Sequence, residues 1–127
     1  MLMLLSHVIV YVSDMQRSIR FYRDQLGFPV KMESPDWTEL HSGRTTLALH
    51  IAAPGKRSTK ILPGDAHIGP GEAHIGIEVL DLEKFYEEKK ASGVPFKMPP
   101  TMQDFGRKMA VMSDPDGLPI SVTEELR

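Results

Sequence analysis

Two stretches decide the fold: Ser6-His7-Val8-Ile9-Val10-Tyr11-Val12-Ser13-Asp14 and Ala73-His74-Ile75-Gly76-Ile77-Glu78-Val79-Leu80-Asp81. Set at an offset of 67 residues, His falls on His, the closing Asp on Asp, and the β-branched residues on one another. Each stretch alternates like a strand with two distinct faces, and its last residues offer a helix N-cap. In the first copy the cap is Asp14, or Ser13 in a capping box with Gln16. Met15, Ile19, Tyr22 and Leu26 then recur at helical spacing, and Gly27 suits the position that ends a helix. In the second copy Asp81 caps a helix with the apolar stripe Leu82, Phe85 and Tyr86, and Gly93 follows it.

The repeat continues outward. After a one-residue adjustment in the helix, Gly27-Phe28-Pro29-Val30 lies on Gly93-Val94-Pro95-Phe96, and Leu47-Ala48-Leu49-His50 lies on Ile120-Ser121-Val122-Thr123. Strand-like runs at 28–34, 37–42 and 45–53 complete the first half, and runs at 94–98, 107–113 and 118–124 complete the second. The expected architecture is α+β. Two βαβββ units, residues 1–53 and 73–127, form a curved mixed β-sheet cup with helices outside, within one domain spanning 1–127. Seven of the twenty residues from 53 to 72 are Gly or Pro, so 54–72 is expected to be a joining loop that acts as a mobile lid.

Composition bounds the function. A chain of 127 residues fits one domain that buries a proper core. It has no Cys, which excludes disulfides, thiolate metal sites and cysteine nucleophiles. Fifteen Lys+Arg against seventeen Asp+Glu, with no long run of one sign, argues against nucleic acid or an acidic membrane as partner. No apolar stretch is long enough to span a membrane, and the start lacks the pattern of a signal peptide. A cytoplasmic protein is expected. No phosphate-binding glycine loop, serine nucleophile elbow or zinc-protease helix motif occurs.

Alternation also assigns the faces. The valines of the first strand belong under the helix, leaving His7, Ile9 and Tyr11 for the cup. His74, Gly76 and Glu78 take the same side in the second half, with Ala48, His50 and Ala52 from the fourth strand and Ser121 and Thr123 from the last. So polar a surface suits binding better than core packing. Tyr11 and Trp37 form a candidate aromatic wall, although a tryptophan that starts a strand is more often a packing residue. Glu78 and Glu39 are candidate general bases if burial raises their affinity for a proton; the bland alternative is two surface carboxylates. Lys56, Arg57 and Lys60 are candidates for clamping an anion. His41, before a turn, and His67, in the loop, are expected to be solvated.

The twin βαβββ pattern, the His opening each half and Asp114-Pro115-Asp116-Gly117 before the last strand resemble the vicinal oxygen chelate superfamily. That superfamily includes glyoxalase I, extradiol dioxygenases, fosfomycin-resistance enzymes and bleomycin-binding proteins. The resemblance spans nearly the whole chain. It implies metal ligands on the first, fourth, fifth and eighth strands, positions that fall on His7, Ala48, His74 and Ser121. The two His match, and Ala48 and Ser121 depart from the usual carboxylate or amide. His50, on the same face as Ala48, is the expected third imidazole.

Two functions follow from the resemblance. One is a glyoxalase-like enzyme of lyase, isomerase or dioxygenase type, holding a divalent ion (Zn, Ni, Co, Mn or Fe) and no organic cofactor. The other is a metal-free protein that sequesters a small molecule in the same cup, as bleomycin-resistance proteins do. Either is expected as a homodimer with a small-molecule ligand.

Overall fold

The computed structural model describes residues 4–52, 74–104 and 106–125. The expected lid at 54–72, with Lys56, Arg57, Lys60 and His67, lies outside them. The chain divides into two compact units, Met1–Arg57 and Ser58–Arg127.

In the first unit β1 (His7–Val12) leads into α1 (Met15–Ile19), which runs on as a π-helical segment (Arg20–Gln25), then β2 (Val30–Glu33), β3 (Trp37–Ser42) and β4 (Thr45–Ile51). The sheet order is β1-β4-β3-β2, with β1 parallel to β4 and the other pairs antiparallel. The second unit repeats it: β5 (Ile75–Val79), α2 (Leu82–Ala91), β6 (Phe96–Met102), β7 (Lys108–Ser113) and β8 (Pro119–Glu124), in the order β5-β8-β7-β6. The pairing carries the repeat down to single residues. Ile9 stands beside Ala48 and Tyr11 beside His50; Gly76 stands beside Ser121 and Glu78 beside Thr123.

Each helix starts as its cap dictates. Asp14, rather than Ser13, accepts the Arg17 amide at 3.0 Å, and Asp81 accepts the Lys84 amide at 3.1 Å. Gly27 (φ 86°) and Gly93 (φ 95°) adopt the left-handed conformation that ends a helix. Gly27 lies thirteen positions after Asp14, and Gly93 twelve positions after Asp81. The π-helical segment absorbs the extra one, since a π turn holds one residue more than an α turn. Its signature is the Leu26 amide donating to the Phe21 carbonyl, five residues back, at 3.1 Å.

One face of the first sheet is closed by its helix. Val10, Val12, Leu40, Leu47 and Leu49 are buried with Met15, Ile19, Phe21 and Tyr22, and α1 packs on β4. Each such aliphatic side chain contributes roughly 1.5–3 kcal/mol by leaving water. In the second unit α2 packs on β6, β7 and β8, with Leu82, Ala110, Met112, Ile120 and Val122 fully buried.

Two strands differ most from their expected extents, the others by at most a residue or two at an end. β2 starts only at Val30, because the Phe28 amide still bonds back to Tyr22. β6 runs on to Met102 through Pro99 and Pro100, and its register slips between Phe96 and Thr101. Proline has no amide to give the ladder, so that strand sits at the sheet edge. The Asp114–Gly117 turn is held by the buried Asp114 side chain, whose Oδ1 accepts the amides of Asp116 (2.9 Å) and Leu118 (2.8 Å).

Candidate functional site

With one face of the first sheet under its helix, the odd residues of β1 and β3 and the even residues of β4 share the other. Strand pairing sets them in three rows about 7 Å apart along the strands. His7, Thr46 and His41 form the first row; Ile9, Ala48 and Glu39 the second; Tyr11, His50 and Trp37 the third.

The third row is a run of rings. The His50 ring centroid lies 5.2 Å from that of Tyr11 and 5.8 Å from that of Trp37, edge-on to the indole. Tyr11 keeps 63% of its surface exposed. His50 is oriented by its own strand: Nδ1 lies 2.7 Å from the Ile51 carbonyl. A carbonyl only accepts, so Nδ1 carries the proton and Nε2 is the nitrogen left to accept.

The second row holds the carboxylate. Glu39 Oε2 accepts from the Trp37 indole Nε1 at 2.8 Å, which fixes the ring, and Oε1 lies 3.8 Å from Lys31 Nζ. Lys31, from the bulged stretch of β2, reaches across to donate to Thr46 Oγ1 at 3.1 Å. That brings an ammonium into the first row between His7 and His41, both exposed. His7 Nδ1 is itself 2.7 Å from Ser6 Oγ.

The equivalent face of the second unit is built differently. Gly76, Ser121 and Val111 stand abreast, then Glu78, Thr123 and Met109. A Cβ at Gly76 would come within 3.1 Å of Ser121 Oγ, so the glycine leaves room for that hydroxyl. Thr123 Oγ1 turns to the Ile77 carbonyl at 3.5 Å. Arg107 Nη2 donates to Glu78 Oε1 and to the Glu124 carbonyl, both at 2.8 Å. His74 lies exposed just before β5.

Lys31 and Arg107 are the members of these faces that the sequence does not announce. A bulge aims the first, and the second lies outside any strand. His41, expected merely to be solvated, shares the face of Trp37 and Glu39; the alternation of β3 already carried that signal.

This is the architecture of a paired-βαβββ protein, each half with its own mixed sheet. The model of the Glyoxalase/Bleomycin resistance protein/Dioxygenase superfamily matches residues 4–122, and the chain belongs to that superfamily. No curated protein matches the sequence significantly. Among solved structures it is similar to SMU.1112c, at 29% identity and a TM-score of 0.82, over 98% of this chain and 100% of that one. It is also similar to a superfamily member from Sphaerobacter thermophilus, at 23% identity and a TM-score of 0.76, over 98% of each chain. A lactoylglutathione lyase from Agrobacterium tumefaciens matches at 20% identity and a TM-score of 0.74, over 95% of this chain and 92% of that one. The last two likenesses are to the fold.

Among the described residues, no three His, Cys, Asp or Glu side chains gather so as to hold a metal ion. Within the first unit the reason is visible. His50 lies four positions along β4, about 13 Å, from Thr46, the neighbour of His7. Between them stands Ala48, which has no donor and is fully buried. These donors do not fit one divalent ion.

Proposed function

We propose that this protein binds a small planar aromatic molecule on the open face of its first unit, without requiring a metal. The observation that carries this reading is the row of Tyr11, His50 and Trp37, whose ring centroids lie 5.2 and 5.8 Å apart on an accessible sheet face. Tyrosine and tryptophan give a ligand large contact area at little entropic cost, and aromatic contacts add about 0.5–1.5 kcal/mol each beyond area burial. Glu39, bonded to the indole nitrogen, pins Trp37 before any ligand arrives, which lowers the ordering cost of binding.

Superfamily membership also brings a metal-dependent lyase or dioxygenase into view, and one observation favours it: His7 and His74 head equivalent strands in the two units. The donor geometry of the first unit does not support it. Nor do the carboxylates expected to move protons stand free, since Glu39 Oε2 accepts from Trp37 and Glu78 Oε1 from Arg107.

Trp37 is the sole tryptophan, so its emission reports directly on the row. A naphthalene-bearing probe is expected to quench it saturably, and Tyr11→Ala is expected to weaken that binding by about three- to tenfold. Absence of saturable quenching, or a Tyr11→Ala variant with unchanged affinity, would overturn the reading.

A further inference from the structure

We propose that the preferred ligand carries an anionic group, a carboxylate in the simplest case, at the end of its long axis remote from its ring. The inference rests on the aromatic row as the ring's seat and concerns what lies at the other end of the same face. Four residues along the strands from Tyr11, His50 and Trp37 stands the row of His7, Thr46 and His41, into which Lys31 brings its ammonium.

Lys31 is its centre. Its ammonium is tethered by Thr46 Oγ1 at 3.1 Å. Thr46 lies between His7 and His41, each one strand away, about 5 Å. Glu39 is the one carboxylate among the described residues of this face. Its Oε2 is occupied by the indole, and its Oε1 stays 3.8 Å from the ammonium, beyond a good hydrogen bond. Lys31 has three donors and one bonded acceptor at 3.1 Å. The remainder are available to an incoming anion, and the exposed imidazoles on either side add two more polar contacts.

The ends also differ in what they accept. The aromatic row offers π-faces and edges; in the middle row Ala48 is buried and Ile9 is exposed, giving an aliphatic linker an apolar side chain to lie against. Glu39 links the two ends, its Oε1 3.8 Å from the ammonium and its Oε2 2.8 Å from the indole Nε1, so a ligand seated on the rings reaches the ammonium within about 9 Å of the indole nitrogen. The face thus has an aromatic end and, within that reach, a cationic one.

The test uses the full-length protein and two probes of equal length, 4-(2-naphthyl)butanoate and its primary amide, both followed by Trp37 emission. At neutral pH and low salt the carboxylate is expected to bind about fivefold more tightly than the amide, the scale of an exposed ion pair. That preference is expected to shrink at about 0.5 M salt and to fall to about one in Lys31→Gln. Equal affinities in the wild type, with Tyr11→Ala still weakening both probes, overturn the anionic-end proposal and leave the aromatic row standing. Failure of both probes to bind overturns the aromatic row and, with it, this proposal. A preference that survives Lys31→Gln overturns the assignment to this ammonium.

Discussion

Asp114 shows how much a single side chain holds in this fold. Its Oδ1 accepts two backbone amides across the turn into β8 and is buried. Removing it takes away the shared acceptor of the exposed Asp116 and half-buried Leu118 amides and leaves a gap where a buried side chain stood. Asp114→Ala is therefore expected to cost about 1–3 kcal/mol in urea unfolding, whereas Asp114→Asn keeps an acceptor oxygen and is expected to cost less. Asp24 makes the opposite case. The hydrogen bond from Arg23 holds its carboxyl below the ordinary carboxylate range. A group lowered in this way stabilises above the unfolded-state pKa of about 3.9, and that contribution is lost as pH falls through the lowered folded value. The pair is fully exposed, so its effect is confined to strongly acidic solution and is small. NMR titration of Asp24 is expected to show a midpoint below 3.9 that returns upward in Arg23→Gln.

At the level of elements, the two helices answer the same sequence pattern with different geometry. Met15, Ile19 and Tyr22 fit an α-helical stripe, yet from Arg20 the chain widens into a π turn that leaves both Phe21 and Tyr22 buried. Deleting exposed Asp24 removes the inserted residue, and the variant is expected to fold with the segment converted to α-helix. Deleting exposed Glu87 from α2 instead rotates everything after it by about 100° relative to the sheet and is expected to abolish cooperative unfolding. Circular dichroism melts of the two deletions separate these outcomes. β6 carries a different device. Its prolines cannot donate to a neighbouring chain, which protects an outer strand from edge-to-edge pairing. Pro99→Val with Pro100→Val is expected to raise aggregation, measured by light scattering at constant protein concentration.

Across the whole molecule, duplication does not mean equivalence. Tyr11, His50 and Trp37 in the first unit correspond by register to Glu78, Thr123 and Met109 in the second. One face carries rings and the other an Arg107–Glu78 ion pair. Two copies of one backbone have thus been given different chemistry, as befits a superfamily whose members share a fold and diverge in their sites. Metal content tests this at the scale of the full chain. Protein purified without a histidine tag is expected to carry well under one equivalent of Zn, Ni, Co, Mn or Fe, because the donors of the first unit do not converge. One tightly held equivalent, lost in His7→Ala, would reverse that expectation.

The sequence alone determined the repeat, the βαβββ order, the Asp81 cap and the side of the first, fourth, fifth and last strands that faces the helix, while it left the first cap between Asp14 and Ser13. These depend on local properties: a period of two or 3.6, a short side chain that caps, a glycine with positive φ. It also put His7, His50, Tyr11, Trp37 and Glu39 on one face, since alternation within a strand survives whatever the neighbouring strand does. What it left open was which of these residues stand abreast. Neighbours across a sheet are set by register, a property of pairs of strands distant in sequence, so the row of rings and the four-position separation between His50 and the neighbour of His7 became visible only in the tertiary structure. The same holds for Lys31, Arg107 and the π turn. A bulge, a residue just outside a strand and one extra helical residue leave no periodic trace, and packing alone fixes where they point.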